Sequence, residues 1–314
     1  MTSVASRLKA MPWIWSYVAA FVVWLTAMIA ASGVGGSAMI SAALTFSVFA
    51  VLVGIGQMFV IASGPGNIDL SIPAVIAVSG FVAMKVMGGS DAMILPGLLL
   101  GLLSGALFGL VNCATIWLFQ VPPIISTLSM SMIIQSITIS FGRGLLITPP
   151  PFLAFLTTYR VAGIPISAIA TIVLAAAMAA VLRYSIYGRS VLAIGQNENA
   201  ARLAGVKVWR TRFLTFMLSG LFAGLCGVLL SGMSGGASLD MGNEYMLTSI
   251  ALVVIGGSSV SGGRANLTGI WGAALFLFLL ISMLNSLGVG SGWRLVLNGL
   301  IIIAVIVVAG GDDS

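Results

Sequence analysis

Residues 93–119 read MILPGLLLGLLSGALFGLVNCATIWLF, a run of 27 residues without a charged side chain. A helix needs about 20 mainly apolar residues to cross the hydrocarbon core of a bilayer. The run is long enough to do so, and we interpret it as a transmembrane helix. Similar runs recur along the whole chain.

Windows of the same kind give ten candidate spans. They lie at about 13–32, 38–62, 70–87, 93–119, 124–141, 164–182, 213–233, 246–260, 267–287 and 294–310. The first is longer than the apolar core of a signal peptide, about 7–15 residues, so we expect it to be retained. The predicted fold class is all-α, a polytopic membrane helix bundle of about ten transmembrane helices.

The composition agrees with a membrane protein over its whole length. Of 314 residues, 60% are hydrophobic and only 6% are charged, whereas soluble domains carry about 25% charged residues. So few charges cannot cover a soluble surface, which excludes a soluble enzyme domain, a disulfide scaffold and a nucleic-acid-binding protein. We treat residues 1–314 as a single transmembrane domain in contact with lipid.

The basic residues predict the orientation in the membrane. Six of the thirteen lie in 183–212, namely Arg183, Arg189, Arg202, Lys207, Arg210 and Arg212. Because cytoplasmic loops are enriched in Lys and Arg, we expect this loop in the cytoplasm. With ten spans, and with Arg7 and Lys9 also inside, both termini are then cytoplasmic.

Residue types suited to catalysis or metal binding are scarce. The chain has no His, and Cys113 and Cys226 lie inside apolar runs, where they are expected to act as small packing residues. No G-x-x-x-x-G-K-[ST] motif occurs, so the chain does not hydrolyse nucleotide through a P-loop. We predict no catalytic residue, no metal site and no cofactor in this chain.

Glycines recur at every fourth position in two of the spans. They are Gly97, Gly101, Gly105 and Gly109 in the fourth span, and Gly220 and Gly224 in the seventh. Small residues at this spacing allow helix backbones to approach closely in a membrane. We therefore predict tight helix packing along both stripes.

Three segments interrupt the apolar pattern. Residues 54–71 and 251–268 each pass through a Gly- and Ser-rich break, and such breaks in two halves of a transporter can mark the transport path. That likeness is weak, because Gly and Ser are abundant throughout. Residues 142–163 form the longest predicted outer loop, with prolines at 149–151, and are either a rigid connector or a docking surface for an extracytoplasmic partner.

Polar side chains inside the spans need partners. The amides there are Gln57, Asn112, Gln135, Asn285 and Asn298. Each bonds to another helix or lines a water-filled cavity. Carriers driven by protons or sodium bury ionisable groups in their helices, and such groups are nearly absent here, so we expect the energy source to lie outside the chain.

Residues 197–205, NENAARLAG, carry the strongest indication of function. Asn197 can cap a short helix, Glu198 complements its positive end, and Gly205 can terminate it. Such a helix is too short and too rich in Ala to bind lipid strongly. We therefore expect a protein partner to bind it at the cytoplasmic surface.

This segment resembles the EAA-type coupling motif of ABC importer permeases, specifically the family that imports ribose, xylose, arabinose and galactose. The family pattern N-E-x-A-A-R-L-x-G is matched by Asn197, Glu198, Ala200, Ala201, Arg202, Leu203 and Gly205. Gly66–Ser71 resembles its G-x-I-D-L-S segment, and Gly256–Arg264 resembles its GG-[TS]-S-x-x-GG-[RK] segment. The similarity runs from about residue 45 to 308.

The resemblance implies a permease subunit, not an enzyme, in the inner membrane of a bacterial cell. It also implies a second permease subunit, a cytoplasmic ABC ATPase that holds ATP and Mg, and an extracytoplasmic binding protein that delivers a monosaccharide. The residues expected to couple to the ATPase are Asn197, Glu198, Asn199, Ala200, Ala201, Arg202, Leu203 and Gly205, within the loop 183–212. Those expected on the translocation path are Gln57, Asn67, Asp69, Ser71, Asn112 and Asn285.

Two positions depart from the family pattern. Asn199 stands where many members carry Glu, which favours one of two unlike permeases in a heterodimer. The usual Gly-Gly before I-D-L-S is replaced by Gly64–Asn67. Two alternative functions remain open: a permease for a nucleoside, a branched-chain amino acid or a furanose signal, and a channel or secondary carrier that works without an ATPase.

Overall fold

The computed structural model describes residues 13–30, 36–142 and 147–288, together with 290, 292–293, 296–297 and 299–300. Within these residues the chain forms twelve α-helices and one short β-hairpin. The helices are α1 (Trp13–Ala30), α2 (Gly36–Ala62), α3 (Ile72–Met87), α4 (Ile94–Phe119), α5 (Pro123–Gly142), α6 (Pro151–Thr158), α7 (Ile166–Tyr184), α8 (Ile186–Gln196), α9 (Glu198–Leu203), α10 (Val208–Met233), α11 (Tyr245–Ile255) and α12 (Leu267–Ser286). The predicted fold class, a polytopic helical membrane protein, is confirmed.

Nine of the ten predicted spans coincide with apolar helices. Six of these, α2, α4, α5, α7, α10 and α12, are long and apolar enough to cross a membrane, while α1, α3 and α11 are apolar but shorter. The predicted tenth span, 294–310, and both predicted cytoplasmic termini lie outside the residues that the structure describes.

The predicted span 246–260 is wrong as a full crossing. The helix there, Tyr245–Ile255, has 11 residues, or about 16 Å at 1.5 Å per residue, against a hydrocarbon core of about 30 Å. It ends because Gly257 adopts a left-handed backbone with φ of 84°, which only glycine takes at no steric cost.

The quoted run forms α4, whose opposite faces have different surroundings. Its four stripe glycines are buried, whereas the leucines two positions earlier, Leu95, Leu99, Leu103 and Leu107, are 50–64% exposed. A β-carbon at Gly105 would overlap the carbonyl oxygen of Gly220 in α10, and one at Gly109 would overlap that of Phe216. The glycine stripe is thus a helix contact, as predicted, and the leucine face is available to lipid.

Helix α10 is the central element of the bundle, in contact with α2, α3 and α4. Its Gly227 packs against the backbone of α3, since a β-carbon there would overlap the carbonyl oxygen of Ile76. The main hydrophobic core lies around these contacts, with Phe49 and Phe59 of α2 and Phe222 of α10 fully buried.

The segment 183–212 is more ordered than predicted. Sequence reasoning placed one short helix in it, but the structure also has the eleven-residue helix α8, whose first turn is capped by Ser185, with Oγ accepting from the Gly188 N–H at 2.9 Å. Val191 and Ile194 are buried on one face. Helices α8 and α9 therefore form a two-helix unit packed against the bundle.

The predicted outer loop also contains structure. Pro151 is the first residue of α6, where a missing N–H costs nothing, and the Asp91 carboxylate accepts a hydrogen bond from the Phe152 N–H at 2.9 Å. A hairpin follows, of β1 (Arg160–Val161) paired antiparallel with β2 (Ile164–Pro165). The Asp91–Phe152 hydrogen bond and the hairpin thus stabilise the connector. Docking of a partner on it stays a prediction.

The glycine contact between α4 and α10 gives the first testable prediction. We expect Gly105→Val to lower the free energy of unfolding by about 1–3 kcal/mol or more, because the new side chain forces two backbones apart. Leu103→Val, on the exposed face of the same helix, is the matched control and should change little. Thermal unfolding of both variants in detergent measures the difference, and equal losses would show that the contact is not tight.

Candidate functional site

The chain between α2 and α3 forms an irregular break at the centre of the site. Helix α2 ends at Ala62 and α3 begins at Ile72. Gly64 and Gly66 have φ of 138° and 73°, and these left-handed values let the chain turn back toward the bundle interior. The break brings Asp69 to a position where it is only 1% exposed.

The Asp69 carboxylate accepts three hydrogen bonds. Ser71 donates twice to Oδ1, from its hydroxyl at 2.6 Å and from its backbone N–H at 3.0 Å. The hydroxyl of Ser219, from α10, donates to Oδ2 at 2.8 Å. Because a buried carboxylate without donors is very costly, these bonds fix α10 against the break.

Three further helices bond to the same break. Asn112 of α4 donates to the Ser71 hydroxyl oxygen at 2.6 Å, and Gln57 of α2 accepts from the Asp69 N–H at 3.2 Å. The hydroxyl oxygen of Thr127, in α5, accepts from the Leu70 N–H at 3.1 Å. We call Asp69 and these partners, Gln57, Ser71, Asn112, Thr127 and Ser219, the Asp69 network.

The structure brings together five of the six residues predicted for the translocation path. Gln57, Asn67, Asp69, Ser71 and Asn112 are each at least 95% buried, and Asn67 donates to the Ser63 hydroxyl at 3.1 Å. Asn285 lies apart from them, exposed in the last turn of α12. In this conformation Gln57, Asp69, Ser71 and Asn112 join helices to the break, and the role of all five residues in the path stays a prediction.

Sequence reasoning missed Ser219 and Thr127, both essentially fully buried. A hydroxyl in the middle of an apolar span was the available signal, but many such hydroxyls bond only to their own helix. Thr138, for example, donates to the Ile134 carbonyl one turn earlier. The sequence does not show which serine or threonine reaches a neighbouring helix.

A small polar cleft lies beside this network. It has a volume of about 30 Å³, about the share of one water molecule in the liquid. Its polar walls come from α5 and from the turn after α10, namely Ser131, Gln135, Thr138 and Asn243. Gln135 and Asn243 are exposed, so α5 presents the Gln135 amide to open space.

The second part of the site is the segment 197–205. The predicted helix is present as α9, with the Asn197 side chain accepting from the Ala200 N–H at 2.9 Å. After the helix, Gly205 adopts φ of 84°, and the Val206 N–H bonds back to the Ala201 carbonyl at 3.0 Å. Cap and terminator are thus the two residues that sequence reasoning assigned.

The two faces of α9 differ in exposure. Ala201 is 5% exposed and packs with Ile194 and Val208 in a small core, whereas Leu203 is 91% exposed. The remaining residues open to solvent are Asn197, Asn199, Ala200, Arg202, Ala204 and Gly205. A partner can therefore contact Leu203 and its neighbours, while Ala201 attaches the helix to the bundle.

Glu198 connects α9 to α10 through ion pairs. Its carboxylate oxygens lie 2.8 Å from Arg202 in the same helix and 2.7 Å from Arg212 in α10. Partial burial acts to raise the pKa of Glu198, but the positive charges of Arg212 and Arg202 outweigh it and lower that pKa below its ordinary value. The carboxylate is therefore ionised at neutral pH and holds both guanidinium groups.

The two Gly-rich breaks and the end of α8 meet at one point. The Gly263 N–H donates to the Ala62 carbonyl at 3.0 Å, and a β-carbon at Gly262 would lie 2.8 Å from the Gly64 Cα. A β-carbon at Gly195 would overlap both the Ala62 carbonyl oxygen and the Gly263 nitrogen. The α8–α9 unit thus rests directly on both breaks, with no room for a side chain between them.

Comparison with known proteins identifies the family of the chain. Residues 39–306 match the family described as branched-chain amino acid transport system / permease component. The ribose import permease protein of Bacillus subtilis (strain 168) is 34% identical over 260 residues, which cover 81% of this chain and 79% of the relative. No solved structure gives a significant match.

Two further relatives have similar coverage. The D-allose transport system permease protein of Escherichia coli (strain K12) is 31% identical over 259 residues, 82% of this chain and 78% of the relative. The L-arabinose ABC transporter permease protein of Azospirillum brasilense is 32% identical over 259 residues, 81% and 75% respectively. The chain belongs to this family of ABC importer permeases.

The Asp69 network generates the second prediction. We expect Ser219→Ala to lower the free energy of unfolding by about 1–3 kcal/mol, because a buried carboxylate oxygen loses its donor. Thermal unfolding in detergent measures the change.

Ser231→Ala is the matched control, since Ser231 is equally buried in the same helix and donates to the Gly227 carbonyl of its own helix. That carbonyl keeps its helical partner in the variant, so the loss should be clearly smaller. Similar losses in both variants would contradict a special role for the carboxylate.

Proposed function

We propose that this chain is the transmembrane permease subunit of an ATP-binding cassette importer that carries a monosaccharide across the inner membrane of a bacterial cell. The observation that carries the proposal is the exposed face of α9, held to the bundle by Glu198 and by the buried Ala201. A helix this short is stable only through such attachments, and its exposed apolar Leu203 suits a protein partner.

A monosaccharide is the favoured solute because the relatives are named for ribose, D-allose and L-arabinose. The description of the family itself mentions branched-chain amino acids. The exposed amide Gln135 suits a hydroxyl-rich solute, since amide groups donate to and accept from hydroxyls.

A cytoplasmic ABC ATPase would bind α9 and supply the energy from ATP and Mg held in its own sites. Its contacts would be the exposed residues of 197–205, with Glu198 passing the movement to Arg212 and so to α10. An external energy source fits this bundle, because its buried carboxylate, Asp69, is already hydrogen-bonded by Ser71 and Ser219.

A second permease subunit, the same chain or a paralogue, would complete the path. Gln135 is exposed on α5, and an amide in hydrocarbon requires a protein or water partner. We place the path along this face of α5, next to the Asp69 network. An extracytoplasmic binding protein would deliver the sugar at the α6 and hairpin end.

The proposal as a whole is tested by transport. The chain is purified from native membranes with its co-purifying subunits and reconstituted into vesicles. We expect ATP-dependent uptake of ribose, allose or arabinose that requires the binding protein, and no uptake of uridine or leucine. Uptake of uridine or leucine alone would favour the alternative solutes, and downhill flux without any ATPase would identify a channel or carrier.

The docking role of α9 is tested at Leu203. We expect Leu203→Asp to weaken binding of the ATPase by about thirtyfold or more, as for an apolar contact at the centre of an interface. Leu203→Met keeps the apolar contact and is the matched control. Because Leu203 is 91% exposed, both variants should insert and unfold like the parent chain. Unchanged ATPase binding by Leu203→Asp would overturn the assignment.

A further inference from the structure

A second, larger cavity lies between the end of α4 and the start of α10, lined in part by residues of α9. Its volume is about 410 Å³, within the range of about 300–1,000 Å³ found for small-ligand sites. Neither the Asp69 network nor the cleft at Gln135 contributes a residue to it. The proposed function assigns Glu198, Arg202 and Arg212 in its wall to coupling, but it gives the space between them no occupant.

One wall of the cavity is strongly basic. It contains Arg202, Lys207 and Arg212 and a single acidic residue, Glu198, so three positive charges face one negative charge. Glu198 engages one nitrogen of each arginine. Lys207 is exposed and forms no ion pair among the described residues. The wall therefore has unused donors suited to an anion.

The rest of the lining is mainly apolar and aromatic. Ile116 and Trp117 come from α4, and Trp209 and Phe213 from α10. Trp117 is 61% exposed, and the next two residues of α4 are each 66% exposed. This surface follows the same helix that carries the exposed leucine face, so the cavity joins a lipid-facing helix to a group of cations. Tryptophan is typical of this position at a membrane surface.

We propose that this cavity binds an anionic phospholipid. The headgroup phosphate would lie between Lys207 and the two arginines, and an acyl chain would follow Trp117 toward the leucine face of α4. A small soluble anion would contact only the basic residues of the lining, and a neutral lipid only the apolar ones. An anionic phospholipid would contact both. Basic pockets between membrane helices recognise acidic headgroups in this way. The inference does not depend on which solute is carried or on the ATPase.

The test uses the full-length chain in nanodiscs, without other subunits. Phosphatidylglycerol is titrated into phosphatidylcholine discs, and retained lipid is measured by native mass spectrometry. We expect phosphatidylglycerol to be retained in preference to phosphatidylcholine, and Lys207→Gln to weaken retention about fivefold, the effect of one basic residue near a membrane surface. Arg189→Gln removes the same charge from an exposed position in α8 outside the cavity, and should leave retention unchanged.

Each other outcome rejects the proposal. Equal weakening in both variants would mean general surface attraction rather than a site. Binding of soluble glycerol phosphate as tight as that of the lipid would identify a site for a free anion. If Lys207→Gln retains phosphatidylglycerol as well as the parent chain does, the basic wall does not hold the headgroup. None of these results bears on the transport measurement, so the two proposals fail separately.

Discussion

The burial of one carboxylate, that of Asp69, organises the packing of this bundle. A charged or polar group away from water must find its partners within the protein. Here the partners come from the break itself and from α10, and the surrounding amides and hydroxyls come from α2, α4 and α5. The Gln57 Nε2 and Asn112 Oδ1 atoms lack partners among the described residues, but moving any one of these helices would leave a further donor or acceptor unpaired. Their positions therefore depend on one another.

The glycine contacts make these short hydrogen bonds possible. Gly220 follows Ser219 directly and Gly109 precedes Asn112 by one turn, and both glycines lie where α4 and α10 touch through their backbones. With larger residues at these positions, the helices would separate by the width of a side chain. The hydroxyl of Ser219 and the amide of Asn112 are short and could not then reach the break. Glycine spacing and polar network are therefore two parts of one packing arrangement.

The sequence predicts local features better than it predicts the partners of its side chains. The places of nine apolar helices, the cap at Asn197 and the terminator at Gly205 follow from composition and from backbone preferences, which depend on neighbours in the chain. The partners of Asp69 do not, because Ser219 lies 150 positions away and resembles other hydroxyls of its helix.

The two errors in the predicted helices also arise where local sequence does not determine the structure. The helix α8 was missed because its mixed composition fits a surface loop as well as an amphipathic helix, and only burial of Val191 and Ile194 distinguishes them. The span at 246–260 was too long because hydropathy continues past the glycines that end α11.

These contacts also suggest how a movement at α9 would travel under the proposed function. Arg212 holds Glu198, and a β-carbon at Gly64 would lie only 3.6 Å from the Arg212 Nη2 atom. Ser219 lies two turns further along α10, about 10 Å at 1.5 Å per residue. Because a helix transmits displacement along its axis better than a loop does, a pull on α9 would reach Asp69 through α10. Coupling of this kind needs no titrating group on the path, which is consistent with a chain so poor in buried charge.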